Sequence, residues 1–289
     1  MRSSCYYYYF YLKLNTTGLD YVHRDLGIIH TDLKPENVMF TKPLEHIFMG
    51  TPLQYSARRK DQRNSRSDHI QQDVTISQME NGSAHGQKDD GYCGDQKWRD
   101  SWCAFEADWS QYVVDNGRIH CKIVDFGNAC WTHKHFTDDI QTRQYRSPEI
   151  ILGEEYSTPV DIWSVACMTF EIATGEHLFD PRTGSQYSRD EDHLALFMEL
   201  LGRIPKKMTT RGKLARKFFN KSAELRNIRN LQFWSLEDVL QEKYKYSKDL
   251  AIEFANFLLP MLNYVSYRRA TAAQMIRSSW ITSTLPLLK

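Results

Sequence analysis

No window of the 289-residue sequence reaches the roughly 18 uninterrupted apolar residues that a membrane-spanning helix needs. The six cysteines (5, 93, 103, 121, 130 and 167) contain no C-x-x-C and no ladder of short spacings. A disulfide framework is therefore not expected, and a reducing compartment is. Cys130, His133 and His135 come nearest to a metal cluster, but three candidate ligands without a downstream pair do not make a zinc spacing. Charge of one sign is lacking too: 37 basic against 36 acidic side chains leave +1. Nothing global would pull such a chain onto nucleic acid or anionic lipid. The N-terminal run Tyr6 to Leu12 has neither the aliphatic stretch nor the small-residue cleavage site of a signal peptide. The expectation is a soluble intracellular protein with no membrane and no direct nucleic-acid partner.

What is present fits a globular chain. Apolar residues make up 41% and charged residues 25%, and seven Trp, sixteen Tyr and fourteen Phe supply bulky core material. Residues 12–26 carry leucines and a valine at helical spacing and read as the end of a helix. Residues 27–41 read as a strand, a polar loop and a second strand from Val38 to Phe40. Composition then shifts: Arg58 to Asp100 is polar with hardly any aliphatic periodicity, so 42–118 is expected to be a flexible insert. From Ile119 the pattern is globular again, with helical spacing at 159–174, 191–202, 235–243, 248–262 and 271–280. No solenoid-type repeat is present.

The chemistry is concentrated in Ile28-Ile29-His30-Thr31-Asp32-Leu33-Lys34-Pro35-Glu36-Asn37. Phosphoryl transfer to a hydroxyl uses a carboxylate that accepts the proton, a cation that meets phosphate charge and an amide oxygen that holds a metal ion. Asp32, Lys34 and Asn37 supply that set. Alone, H-x-D-x-K-x-x-N is also compatible with a helix-capping loop. A second piece, Lys122-Ile123-Val124-Asp125-Phe126-Gly127, is a short β-run ending in a carboxylate and a glycine. It suits an oxygen ligand for Mg²⁺, although Asp-Phe-Gly is also a common turn. Ser147-Pro148-Glu149, Asp161-Ile162-Trp163 and Arg269-Ala270-Thr271 follow in order. Five such elements in this sequence are not a coincidence of turns.

Together they resemble the C-terminal lobe of a eukaryotic protein kinase. That resemblance implies an α+β protein-kinase-like fold: a mostly helical C-terminal lobe with a short β-hairpin. By the same resemblance Asp32 is the catalytic base, Lys34 contacts the γ-phosphate of ATP, and Asn37 and Asp125 bind Mg²⁺. His30 is structural, Glu149 pairs with Arg269, and Asp161 fixes the catalytic loop through backbone hydrogen bonds.

Finer strings narrow the resemblance. Gly127-Asn128-Ala129-Cys130-Trp131, His133-Lys134-His135-Phe136, Asp139 to Arg146 and Tyr187 to Leu194 resemble the SR-protein kinases, which phosphorylate serines in Arg-Ser repeats of splicing factors. The resemblance covers 12–41 and 119–289 and leaves Met1 to Tyr11 unrelated. It implies a monomer of cytoplasm and nucleus acting on Arg-Ser-rich proteins. Thr142 and Arg146 then belong to the activation segment facing substrate, and Glu176, Asp192 and Glu199 with Lys243 to a docking groove for Arg-rich peptides. Thr31 stands where most kinases carry the Arg that clamps an activation-loop phosphate, and a threonine cannot pair with that charge.

Two consequences of spacing complete the reading. Asp32 and Asp125 lie 93 residues apart, yet the strands after the catalytic loop are expected to meet as a hairpin with a loop of about 2–5 residues. Some 75 residues must then loop out, by the same loop-length prior. The glycines include no G-x-G-x-x-G, and no V-A-I-K-type strand precedes His30. The β-rich N-terminal lobe is therefore expected to be absent and the activity of the 289 residues poor. The alternative is a catalytically inactive lobe that binds Arg-Ser peptides as scaffold or decoy.

Overall fold

The computed structural model describes residues 16–40 and 121–282, all within one compact unit of the chain. The stretch 1–11 and the insert 42–118 lie outside the described residues.

The first described element is a helix over 16–24, which turns its Leu19 and Val22 into the core. Gly27, at φ 62, then turns the chain into strand β1, Ile28–Ile29. A polar loop and a 3-10 turn at Pro35–Asn37 lead to β2, Val38–Phe40. β2 pairs antiparallel with β3, Cys121–Ile123, in the register Val38↔Ile123, Met39↔Lys122 and Phe40↔Cys121. β1 pairs antiparallel with β4, Cys130–Trp131, through Ile28↔Trp131 and Ile29↔Cys130. These two small ladders clamp the polar loop between them, which fixes where its side chains point.

The remainder is helical. Pro159–Thr174 is the central helix. Pro at its first turn uses a position where the N–H has no intrahelical partner, and Gly175 at φ 74 closes it by donating to the Glu171 carbonyl. Val160 through Phe170 are all buried, so this helix is covered around its circumference, unlike a surface helix with one apolar stripe. Its Trp163 packs against Phe179 and Phe197, with ring centroids within the trio 4.6 to 6.0 Å apart. A helix at Arg189–Leu201 begins at a Ser188 cap and carries Phe197 into that cluster. Behind it lie Lys248–Leu258, continuing as 3-10 turns through Leu262, and the pair Ala272–Ile276 and Ser279–Thr282.

The spacing-derived helices at 159–174, 191–202 and 248–262 correspond to observed elements within a few residues. The 235–243 pattern resolves into a short helix, Leu236–Asp238, running into a π-helical turn, Val239–Lys243. Three short helices carry no periodic signal of their own: Pro148–Leu152, Met208–Arg211 and Ala215–Phe218. Gly212 between the last two explains a tight approach. A Cβ there would meet the Leu152 carbonyl oxygen at 2.3 Å, so only glycine lets this segment lie against the end of Pro148–Leu152.

Candidate active site

The polar loop between β1 and β2 is held from below by one carboxylate. Asp161, fully buried at the start of the central helix, accepts the backbone N–H of His30 at 2.8 Å and of Thr31 at 2.9 Å. His23 Nε2 lies 2.8 Å from the same carboxylate. Thr31 adopts φ 71, a conformation that costs a β-branched residue about 1–3 kcal/mol. The two bonds from Asp161 and one from the Thr31 hydroxyl to the Asn128 carbonyl, 2.8 Å, hold it there. Where a clamp of opposite charges was not expected at Thr31, a neutral hydrogen bond instead ties the catalytic loop to the segment after Asp125.

His30 is wholly buried and bridges the two halves. Its Nε2 donates to the Val124 carbonyl at 2.9 Å, because a carbonyl can only accept. Its Nδ1 therefore accepts, and the Asp32 N–H is 3.3 Å away. The ring also meets Phe126 edge-on at 4.8 Å. This residue thus fixes the backbone on either side of Asp32 and Asp125 without itself facing solvent.

Above it the expected catalytic residues converge. Lys34 Nζ is 2.8 Å from Asp32 Oδ2, and the Thr142 hydroxyl donates to Asp32 Oδ1 at 2.6 Å. Lys34 also reaches the Thr142 oxygen at 3.3 Å. Asn37 Nδ2 donates to the Asp32 backbone carbonyl at 2.9 Å, which commits the amide nitrogen. The Asn37 oxygen accepts no hydrogen bond among the described residues. Asn37 is tied to the neighbouring strand end by the Val124 N–H, which donates to its carbonyl at 2.9 Å, so Asp125 follows one residue further along. Asp125 sits at φ 64, exposed, with Gly127 leaving room: a Cβ there would come within 3.3 Å of Asp125 Oδ1. An amide oxygen and a carboxylate that have no other partners among the described residues suit a hard divalent cation.

The segment after Asp125 is locked by a residue that spacing did not single out. Gln141, buried at φ 69, donates from Nε2 toward the Tyr145 and Val160 carbonyls and Ser164 Oγ, at 2.9 to 3.1 Å. Its Oε1 accepts the N–H and hydroxyl of Ser147 at 2.9 and 3.0 Å. Arg146 in turn donates from Nε and Nη2 to the Gln141 carbonyl at 3.1 and 2.8 Å and pairs with Asp139 at 2.9 Å. Arg143 pairs with Asp190. The partners of Gln141 lie up to 23 residues away, so no local pattern could have announced it. The same holds for His23, whose partner Asp161 is 138 residues on.

Glu149 and Arg269 form a bidentate pair at 2.7 and 2.8 Å, both almost completely buried. Arg269 also donates to the Pro159 and Asn263 carbonyls, and its guanidinium lies 5.1 Å over the Trp163 ring. Such a pair ties the C-terminal helices to the segment that follows the active site. Of Cys130, His133 and His135, the first and last both meet Tyr156: Cys130 is buried near its hydroxyl and His135 stacks on its ring at 4.0 Å, while His133 lies near Trp131.

The four expected docking residues fall into two groups. Asp192 and Glu199 are seven residues apart on Arg189–Leu201, about two turns, and so share one face. Asp192 accepts the Arg182 backbone N–H at 2.8 Å, and Glu199 accepts that of Gln232 at 2.9 Å. Glu176 is joined to Lys243 at 2.6 Å and accepts the Tyr244 hydroxyl at 3.1 Å. Burial works to lower the Lys243 pKa, but the hydrogen bonds to Glu176 and Tyr244 outweigh it and hold the ammonium above its ordinary value.

A model of the protein kinase domain matches residues 112–281. The chain belongs to the protein kinase domain family. It is 42% identical over 272 residues to the serine/threonine-protein kinase SRPK of Physarum polycephalum, covering 94% of this chain and 59% of that protein. With SRSF protein kinase 3 of Homo sapiens it shares 54% identity over 164 residues, 57% of this chain and 29% of the human protein. With protein kinase dsk1 of Schizosaccharomyces pombe the identity is 38% over 317 residues, 91% of this chain and 58% of the yeast protein. The chain therefore spans well under two thirds of each of these relatives. Within the kinase domain family it is similar, over these shared parts, to the SRPK and SRSF protein kinases. Among the described residues, no helix is long and apolar enough to cross a membrane.

Proposed function

We propose that this site transfers the γ-phosphoryl group of ATP to serine hydroxyls in Arg-Ser-rich proteins of the splicing machinery. The observation that carries this is the Asp32 carboxylate, fixed on one oxygen by Thr142 and on the other by Lys34. Asp32 accepts the proton of the incoming serine hydroxyl. Lys34, already in contact with it, meets the charge of the transferring phosphoryl group. Asn37 and Asp125 are the residues that would hold Mg²⁺, and a divalent cation there neutralises charge on the phosphate oxygens. Thr142 and Arg146 position the segment against which the substrate lies. Glu176, Asp192 and Glu199 recognise its arginines, with Lys243 paired to Glu176. Partners of this kind place the protein in cytoplasm and nucleus, acting as a monomer.

In domain terms, 12–41 and 119–289 form the catalytic lobe, 42–118 is a spacer inserted between β2 and β3, and 1–11 is unrelated. The antiparallel pairing of Val38 with Ile123 supports the insertion, since it joins strands that a short hairpin would normally connect.

A second reading keeps the docking residues without the transfer step, since Asp192 and Glu199 lie on Arg189–Leu201 and not on the loop that carries Asp32. The lobe would then hold Arg-Ser peptides without modifying them. The test is transfer of labelled phosphate from Mg-ATP to an Arg-Ser peptide by the 289-residue chain and by its Asp32→Ala variant. Slow transfer to serine that Asp32→Ala abolishes supports the kinase reading. Equal background in both chains, with peptide binding retained, favours the scaffold.

A further inference from the structure

In a chain of net charge +1, residues 203–229 hold ten lysines and arginines and a single acid, Glu224. All ten are exposed. Among the described residues Lys213 alone of the ten forms an ion pair, to Asp138 at 3.1 Å. Elsewhere the chain neutralises its cations readily, as at Arg143–Asp190, Lys243–Glu176 and Arg269–Glu149. Like charges gathered without counter-charges repel one another, so this surface lowers stability unless something anionic covers it.

The frame beneath the cations is rigid. Lys213 and Leu214 donate from their backbone N–H groups to the Gly153 and Leu152 carbonyls, and Gly212 is pressed against Leu152. Phe219 pairs with Leu225 as an antiparallel bridge, and Arg226 Nε donates to the Arg216 carbonyl at 3.0 Å. The tip between them is closed by Asn220, whose side-chain oxygen accepts the N–H groups of Ser222 and Glu224. Asn227 is anchored by the buried Glu191 carboxylate at 2.7 Å from both its backbone and side-chain nitrogens. A cavity of about 340 Å³ opens beside Lys217, with Tyr187, Ser188, Glu191 and Asn227 on its walls. A fixed backbone removes the loop-ordering part of the cost of meeting a ligand and leaves the rotamer cost of the Lys and Arg side chains.

The position of this surface says what the ligand is. The helix Arg189–Leu201 carries the carboxylates of Asp192 and Glu199, and the basic stretch begins at Arg203, directly after it. Charge therefore reverses along one continuous segment. Single-stranded nucleic acid is disfavoured because stacking needs exposed aromatic faces, whereas Phe218 and Phe219, the aromatic residues of 203–229, are buried. We infer that the 203–229 surface binds the phosphorylated form of the Arg-Ser segment whose unphosphorylated form docks on the carboxylates. This rests on the Arg-Ser reading above. Each phosphoserine brings close to two negative charges to a repeat that had carried only arginines, so the product loses affinity for the carboxylates and gains it for the basic surface. A long substrate would then be drawn across the lobe as its charge reverses.

The experiment is a titration of the full 289-residue chain with a fluorescent peptide of about eight Arg-Ser repeats, unmodified or phosphorylated on every serine. Compared with the parent are Lys207→Glu with Lys217→Glu and Lys221→Glu, and the same three positions changed to Gln. These side chains are exposed, and the Gln set guards against a folding defect from the reversed charges. The phosphorylated peptide is expected to bind the Glu variant about tenfold and the Gln variant about threefold more weakly than the parent. The unmodified peptide should bind all three chains within about twofold. If the phosphorylated peptide binds both variants as tightly as the parent, the inference is wrong. It is also wrong if an oligouridine of matched charge binds the parent more tightly than the phosphorylated peptide and loses that binding in the variants. The unmodified peptide reports on the Arg-Ser reading and the phosphorylated one on this surface, so the two fail separately.

Discussion

His193 is fully buried among Phe179 and Phe197, and neither ring nitrogen is hydrogen-bonded among the described residues. Burial, reinforced by Arg143, Arg146 and Arg189, pushes its pKa well below the ordinary value. In the unfolded chain the ring protonates near pH 6.5. Below that pH the unfolded state binds a proton that the folded state refuses, so stability is full above about 6.5 and falls as pH drops, by up to ~1.4 kcal/mol per pH unit. Denaturant unfolding between pH 7 and pH 5 should show this slope, and His193→Phe should flatten it. Equal slopes for parent and variant would remove His193 as the cause. The Glu149–Arg269 pair makes a complementary prediction. Glu149→Ala strands a buried guanidinium and is expected to lower stability by about 3–5 kcal/mol, read from the shift of the denaturation midpoint. A loss below about 1 kcal/mol, the range of an exposed pair, would contradict the burial of both partners. At this scale the sequence was most informative where chemistry and short spacing coincide: Asp32, Lys34 and Asn37 could be read together because five residues separate them. Gln141 and His23 could not, because their partners are brought in by the fold alone.

Among the elements, Gly212 is where a single methyl group matters most. Its absent Cβ is what lets the loop after Met208–Arg211 lie on the Leu152 carbonyl, so Gly212→Ala must displace backbone and should cost about 1–3 kcal/mol. Thermal unfolding measures it, and an unchanged transition would mean that the approach is looser than 2.3 Å. The long helices were legible because ten or more residues give periodicity room to show. The helices at Met208–Arg211 and Ala215–Phe218 were not, since four residues make barely one turn and owe their shape to packing. The β2–β3 pairing could be anticipated from the need to bring Asn37 beside Asp125. The β1–β4 pairing could not, because two-residue strands about a hundred positions apart leave no pattern. The 235–243 spacing located an element, but its π-helical half follows from local packing that a 3.6-residue period does not encode.

At the scale of the whole molecule, the balance of 37 cations and 36 anions conceals a segregation. Carboxylates gather on Arg189–Leu201 and at Glu176, and exposed cations, of which Lys213 alone is ion-paired among the described residues, on 203–229. Net charge alone excluded a global field and gave no hint of these local ones. On the function proposed above, the lobe chooses its substrate through a surface separate from Asp32, and recognition is expected to be independent of nucleotide. The most direct measurement is therefore titration of an unmodified Arg-Ser peptide against the full chain and against Asp192→Ala with Glu199→Ala, at low and moderate salt. Several exposed arginine–carboxylate pairs in one groove are expected to give micromolar affinity, about −8 kcal/mol. Binding should weaken as salt rises through about 0.1 M, where the Debye length is about 10 Å, and about tenfold in the double variant. A double variant that binds as tightly as the parent, or binding indifferent to salt, would contradict the assignment of this face to Arg-Ser substrates.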